Sequence, residues 1–332
     1  MMEQNSFQAL VVKERDGKYV REIQERQFKD LPEGELLIRV HYSSLNYKDA
    51  LSASGNKGVT RNYPHTPGID AAGTVESSES NRFSPGDKVI VTGFDLGMNT
   101  SGGYGQYIRV PSEWVLPLPK GLSLREAMIL GTAGLTAGTG VSEITRVIKP
   151  EDGEVIVSGA TGGVGSLSIS ILRRLGYAVT AITGKESAHD YLIKIGAAHI
   201  VKREDFEGMM KRPLLKSSYA GAIDTVGGVI LENILKSVHP FGVIACCGNV
   251  ASPELELTVY PFILRGITLT GIASQNYPMK EREKVWNKLA GEWKSGLLDE
   301  SCTEVKLDEL SDQIDLMLDG KLQGRTLVSL EV

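Results

Sequence analysis

The run Val155-Ile156-Val157-Ser158-Gly159-Ala160-Thr161-Gly162-Gly163-Val164-Gly165 is suited to holding an anion. An apolar strand leads into a glycine turn and then into an apolar helix. Glycines let backbone approach a pyrophosphate, whose charge meets free N–H groups and the positive end of the helix. The spacing departs from G-x-G-x-x-G, because Ala160 takes the first glycine position and Gly159 stands just before it. A glycine turn alone is weak evidence, and a tight strand–helix turn that binds nothing is the alternative. With its strand, its helix and the βαβ pattern that follows, the run predicts a dinucleotide site. An NAD site places an acid about 20 residues further on, to bond the ribose 2′-hydroxyl. Here the second strand ends in Thr183-Gly184-Lys185, and Arg203 follows the third strand. A hydroxyl and two cations attract a 2′-phosphate where a carboxylate would repel it, so NADPH is the expected cofactor. Solvated surface charge is the plainer reading of Lys185.

These residues need an alternating α/β frame. From Glu154 the sequence alternates strand (154–158, 178–183, 199–201, 220–225, 243–247, 267–271) with helix (163–175, 187–195), which predicts a parallel sheet. The first 125 residues read instead as short strands (7–12, 19–24, 35–42, 73–76, 88–92, 107–110) between Pro and Gly turns, as in a small barrel or sandwich. Ser123 and Glu126 form a capping-box pattern where the helical region begins. Helices over 279–295 and 307–318 and a strand over 325–331 close the chain. The expected domains are 1–125 with 272–332, a discontinuous β domain, and 126–271, the nucleotide domain.

The composition agrees. The 332 residues hold 37 glycines, against roughly 23 at the usual level of about 7%. Nine fall between Gly131 and Gly165 and five between Gly93 and Gly105, so the surplus is local, not low-complexity sequence. A net charge of −5 argues against a nucleic-acid partner. No apolar run is long enough to span a membrane, and the start of the chain has no basic-then-apolar leader, so a cytoplasmic protein is expected. Cys246, Cys247 and Cys302 are too few for a disulfide framework or a structural zinc cluster. Neighbouring cysteines in a strand point to opposite faces, so Cys246 and Cys247 read as reduced core thiols.

Several motifs outside the glycine turn resemble the medium-chain dehydrogenase/reductase superfamily, and more closely its zinc-free quinone oxidoreductase branch with the acrylyl-CoA reductase group. They are Ser43-Ser44-Leu45-Asn46-Tyr47-Lys48-Asp49-Ala50-Leu51, the run from Tyr63 to Gly73, Gly102-Gly103-Tyr104-Gly105, Pro261-Phe262-Ile263-Leu264-Arg265-Gly266 and Gln323-Gly324-Arg325. The resemblance covers the chain from about Phe7 to Leu330. It implies an α/β fold: a Rossmann doubly wound parallel sheet plus a GroES-like β-barrel domain, with the active site in the cleft. It implies a homodimer paired through edge strands, with the strand at 267–271 as the candidate edge. Zinc enzymes of the superfamily have a cysteine ligand in the early loop, where this chain has Asn46-Tyr47-Lys48-Asp49. They have a histidine ligand where it has Ile69. No metal site is therefore expected.

Carried over by motif, the cofactor contacts fall on Tyr47, Thr161, Gly162, Gly163, Val164, Thr183, Gly184, Lys185, Arg203, Asn249, Ile263 and Ser274. The implied reaction passes hydride from NADPH to the C=C of an α,β-unsaturated carbonyl, such as the enoyl thioester acryloyl-CoA. Reduction of quinones or general enones is the alternative, and a low-turnover NADPH-binding sensor is the second. Tyr47 is the first catalytic candidate, because it could orient the reactants and its phenol could protonate the enolate. Asn46 could fix the loop or offer an amide donor, and Asp49 could hold Lys48 or Tyr47. Lys48, Lys57 and Arg61 are candidate contacts for acyl-CoA phosphates, and Tyr63, Phe94, Tyr104 and Tyr107 are candidate pocket walls. His65 reads as a locally packed histidine. The cofactor inference has a direct test: Lys185→Ala should lower the ratio of kcat/KM for NADPH to that for NADH by about tenfold. An unchanged ratio would remove Lys185 from the 2′-phosphate site.

Overall fold

The described chain opens on a two-stranded sheet of its own. Ser6–Arg15 (β1) and Lys18–Gln27 (β2) form an antiparallel hairpin in which Val11 faces Glu22. In Leu36–Leu45 (β3) Leu36, Ile38 and Val40 are buried while Arg39 between them is exposed. Tyr47–Ala53 forms a helix (α1), where the sequence reading had a loop. Its seven residues are too few to show helical periodicity, and it is set up by capping, with Asn46 at the N-cap and Asp49 three residues on. Asp70–Ser78 (β4), Lys88–Thr92 (β5), Tyr107–Val110 (β6) and Val115–Pro117 (β7) follow. Leu124–Thr145 (α2) opens on the expected capping box: Glu126 N donates to Ser123 Oγ at 3.1 Å and Ser123 N to a Glu126 carboxylate oxygen at 2.8 Å. It is broken at Gly131, whose φ of 53° and ψ of −153° are not helical.

The computed structural model describes residues 6–210 and 212–331, which fall into two units. One runs to Thr132 and resumes over Gln275–Ala290 and from Leu298 onward. The other comprises Ala133–Ser274 and Gly291–Leu297.

The second unit alternates strand and helix: Val155–Val157 (β8), Gly163–Arg174 (α3), Val179–Thr183 (β9), His189–Ile195 (α4), His199–Lys202 (β10), Arg203–Glu207 (α5), Tyr219–Asp224 (β11), Gly228–Ser237 (α6), Val238–Cys246 (β12), Tyr260–Arg265 (α7) and Thr268–Gly271 (β13). All neighbours pair in parallel, in the order β10-β9-β8-β11-β12-β13. Numbered from β8 this is 3-2-1-4-5-6, the doubly wound order whose direction reverses between β8 and β11. Every residue of β8 and β9 is buried, as a sheet covered on both faces requires. Ile156, Ile182, Phe206, Ala222, Ile234 and Ile244 lie in its core. Cys246 and Cys247 both lie against Asp224: one sulfur is 3.8 Å from its carboxylate and the other 3.3 Å from its main-chain oxygen. Burial pushes all three thiols up, Cys247 to about 12, and the Asp224 charge adds to the shift at Cys246 and Cys247.

The chain then returns to the first unit through Met279–Ala290 (α8), Cys302–Lys306 (β14), Leu310–Leu318 (α9) and Arg325–Ser329 (β15). Helix α8 stops at Ala290, short of the Ser295 expected from sequence. β15 pairs antiparallel with β3 and parallel with β14. This completes a seven-stranded sheet, β14-β15-β3-β4-β5-β7, with β6 also on β3. Trp286 and Arg282 of α8 are buried. The Arg282 guanidinium lies 4.5 Å over the Phe94 ring, which stacks on Trp114 at 5.6 Å. Among the described residues no helix is long and apolar enough to cross a membrane.

Candidate active site

The phosphate turn leaves the end of β8 at the point where the strand order reverses. Gly159 has φ 55°, and a Cβ there would stand 2.0 Å from Thr225 Oγ1, so only glycine fits. Gly162 N donates to Gly159 O at 2.9 Å and closes the turn. Gly162 is the N-cap of α3, and no side chain caps that helix. The N–H groups of its first turn are thus left for an outside acceptor. A Cβ on Gly165 would meet Gly159 O at 2.4 Å, so the helix start and the turn are in contact.

At the end of β9, Thr183 Oγ1 accepts from Lys185 N at 3.0 Å. A Cβ on Gly184 would stand 3.1 Å from the Arg203 guanidinium, so Arg203 lies directly on this turn. Burial pushes the Lys185 ammonium down. The nearest acid in sequence, Glu186, is bonded by Lys202. The structure therefore brings Thr161–Val164 of the phosphate turn and Thr183, Gly184, Lys185 and Arg203 to the same ends of adjacent strands, β8 to β10. This arrangement fits a dinucleotide with a 2′-phosphate. On the other side Gly159 touches Thr225, and Gly227 touches Asn249, which is exposed. Ile263 is exposed on α7, and Ser274 Oγ accepts from Thr136 Oγ1 at 2.8 Å.

In the first unit Tyr47 is the first residue of α1 and its ring is exposed, whereas Asn46 and Asp49 are buried. Asp49 Oδ2 accepts from Asn46 N at 2.9 Å, and Oδ1 accepts from Ile69 N at 2.8 Å and Gly68 N at 3.2 Å. Asp49 thus holds Asn46 and the Gly68–Ile69 backbone by hydrogen bonds, where the sequence reading had it holding Lys48 or Tyr47. Ile69, at the metal-ligand position, is buried. Lys48 Nζ donates to Gln275 Oε1 at 2.7 Å.

Around Asp49 lies a polar cluster that the sequence reading did not assign. Asp70 accepts from Ser44 Oγ (2.7 Å), Asn46 Nδ2 (2.8 Å) and Thr132 Oγ1 (2.6 Å). Arg325 donates to Ser44 Oγ (2.9 Å), Ile129 O (2.8 Å), Leu45 O and Asn46 Oδ1 (both 3.2 Å). Both Asp70 and Arg325 sit inside family motifs quoted from the sequence, so the signal was present without a role attached. The other candidates, Arg61 apart, pack locally. Lys57 lies 4.7 Å over the Tyr63 ring and 3.8 Å from Glu14, and Arg61 is exposed. His65 is buried, 2.9 Å from Gly97 O, and burial pushes its imidazole down. Tyr104 is fully buried, and Tyr107 packs on Phe7 and Phe28. Among the described residues no group of three or more His, Cys, Asp or Glu side chains could hold a metal ion.

Burial, and then the Asp70 charge, push the Asp49 carboxyl up from 3.8 to about 7. A raised carboxyl favours the folded state most when protonated, so this contribution is present below about pH 4 and is lost as pH rises through about 7. Asp49→Asn should flatten the dependence of the denaturation midpoint on pH across that window. A slope equal to that of the unmodified protein would contradict the assignment.

Residues 32–120 match the family profile described as alcohol dehydrogenase GroES-like domain, and residues 163–291 the one described as zinc-binding dehydrogenase. Acrylyl-CoA reductase AcuI of Ruegeria pomeroyi is 41% identical over 97% of this chain and 98% of its own. The Bacillus subtilis protein "Putative quinone oxidoreductase YhfP" is 42% identical over 98% and 99%. Its crystal structure with NAD bound superposes with a TM-score of 0.95, covering 98% of this chain and 99% of that one. The yhdH oxidoreductase of Salmonella enterica in complex with NADP gives a TM-score of 0.95 at 42% identity, covering 98% and 100%. The GroES-like and Rossmann parts expected from sequence are thus both present. The chain belongs to the medium-chain dehydrogenase/reductase superfamily, in the quinone oxidoreductase group that includes acrylyl-CoA reductase, and it is an NADPH-dependent oxidoreductase.

Proposed function

We propose that this protein reduces the C=C of an α,β-unsaturated carbonyl, with an enoyl thioester such as acryloyl-CoA as its substrate. The observation that carries this reading is the pairing of a 2′-phosphate-type cation turn, Lys185 with Arg203 on Gly184, with a first unit in which Ile69 replaces the metal ligand. Bound NADPH supplies the hydride, which goes to the β-carbon of the acceptor. A conjugated acceptor spreads the developing charge as an enolate and needs no zinc to stabilise it. Tyr47, exposed at the start of α1, orients the nicotinamide and the substrate and gives its phenolic proton to the α-carbon. Asn46 and Asp49 act behind it, by fixing the helix start. Thr161–Val164 take the pyrophosphate, and Thr183–Lys185 with Arg203 take the 2′-phosphate. Asn249, Ile263 and Ser274 are further contacts of the cofactor. In this reading residues 1–125 and 272–332 carry the catalytic role and 126–271 the cofactor. Arg61 is the exposed candidate for the CoA phosphates, since Lys48 and Lys57 are engaged with Gln275 and with Tyr63.

A cytoplasmic homodimer belongs to the same reading. β13 is one edge of its sheet, and Phe241, Val259 and Leu264 are apolar and exposed. A second copy would extend the sheet and cover them. Light scattering should give twice the chain mass, and Phe241→Glu with Leu264→Glu should give the monomer. A monomeric unmodified protein would exclude the dimer.

The substrate assignment is tested by steady-state rates with acryloyl-CoA, a free enone and a quinone. We expect kcat/KM for the CoA ester to exceed the others by more than about tenfold. A preference for the quinone would select quinone reduction, and NADPH binding without oxidation by any acceptor would select a sensor. Tyr47→Phe should lower kcat with acryloyl-CoA by about 10²-fold, and full turnover in that variant would remove Tyr47 as proton donor.

A further inference from the structure

Asp224 is a carboxylate with no exposed surface, at the end of β11 beside the switch point. Its hydrogen bonds run in two directions. Oδ1 accepts from Ser158 Oγ at 2.6 Å, and Ser158 is the last residue before the glycine turn. Ser158 Oγ in turn accepts from Thr225 N at 3.0 Å, and Thr225 Oγ1 donates to Ser158 O at 3.2 Å. Oδ2 accepts from Gly227 N at 2.9 Å. The Thr225–Gly228 turn is built against the loop that carries Asn249. Ala251 N donates to Val226 O at 2.9 Å, and a Cβ on Gly248 would stand 2.2 Å from Thr225 O. Cys246 and Cys247 are the other titratable groups against Asp224.

We infer that Asp224 is a positioning residue for the dinucleotide: through Ser158 it fixes the phosphate turn, and through Gly227 it fixes the turn that supports the Asn249 loop. The directional demand is strict. Asparagine has one acceptor oxygen, so in Asp224→Asn either Ser158 Oγ or Gly227 N loses its acceptor in a dry site. Ser158→Ala removes the first link alone. Neither side chain is exposed, so each acts on the cofactor only through the backbone it holds.

The inference rests on NADPH as cofactor; its binding readout needs no acceptor, and kcat is taken with whichever acceptor the unmodified enzyme turns over fastest, so it stands apart from the substrate assignment. NADPH affinity is measured by fluorescence titration, beside the thermal midpoint of the unliganded protein and kcat at saturating NADPH. Ser158→Ala and Asp224→Asn should each raise the Kd for NADPH by about tenfold, with kcat within about twofold of the unmodified enzyme. The double variant should raise Kd by less than the product of the two single effects, because the Ser158–Asp224 link is common to both. Unchanged Kd in Ser158→Ala overturns the inference, as does a Kd shift matched by an equal loss in kcat and a fallen thermal midpoint. If Asp224→Asn does not fold, Ser158→Ala decides alone.

Discussion

Two carboxylates and a guanidinium, Asp49, Asp70 and Arg325, share a volume in the first unit from which water is excluded. Burying an ion costs several kcal/mol unless its hydrogen-bonding capacity is met. Here it is met by Ser44, Asn46, Thr132 and the backbone of Gly68 and Ile69. The groups come from five stretches, the end of β3, the start of α1, the start of β4, the break in α2 and the start of β15. A hydrophobic core fixes how close such segments lie, and a directional network fixes how they are aligned. Tyr47 owes its position to this arrangement, because the helix it begins is capped by Asn46 and Asp49.

The cofactor half works by different means. The core of its sheet is mainly apolar, and precision comes from places where a Cβ would not fit, at Gly159 and Gly165, and from the bonds of Asp224 at the end of β11. The switch point between β8 and β11 sets the turn at the ends of the strands, and the next two strands deliver Thr183, Lys185 and Arg203 to one side of it. In the proposed reading Thr183, Lys185 and Arg203 take a doubly charged phosphate at the place where an NAD site holds an acid for the ribose hydroxyl.

This half was the more legible in the sequence. A glycine run after an apolar strand has few other physical uses, and β8 to β12 each carry two or more consecutive apolar residues. The first unit was harder to read. Helix α1 is too short for periodicity and depends on capping. β7 and β14 are edge strands of three and five residues whose pairing no local pattern announces. Asp70 and Arg325 are 255 positions apart in a chain whose ends are brought together by β15 on β3. Their partnership is a property of the fold, and a reading along the chain meets only an acid after Ile69 and a basic residue after Gly324.

The thiols beside Asp224 bear on the chemistry in another way. Conjugated acceptors alkylate thiolates, and an enzyme that handles them is exposed to its own reactant. Burial, reinforced by the Asp224 charge, keeps Cys246 and Cys247 in the thiol form, with Cys247 pushed up to about 12. Cys302 is held up by burial as well. A thiol that does not ionise is a poor nucleophile. For two of the three cysteines, Cys246 and Cys247, resistance to alkylation is thus built into the packing around Asp224, and for Cys302 into its own burial in the first unit.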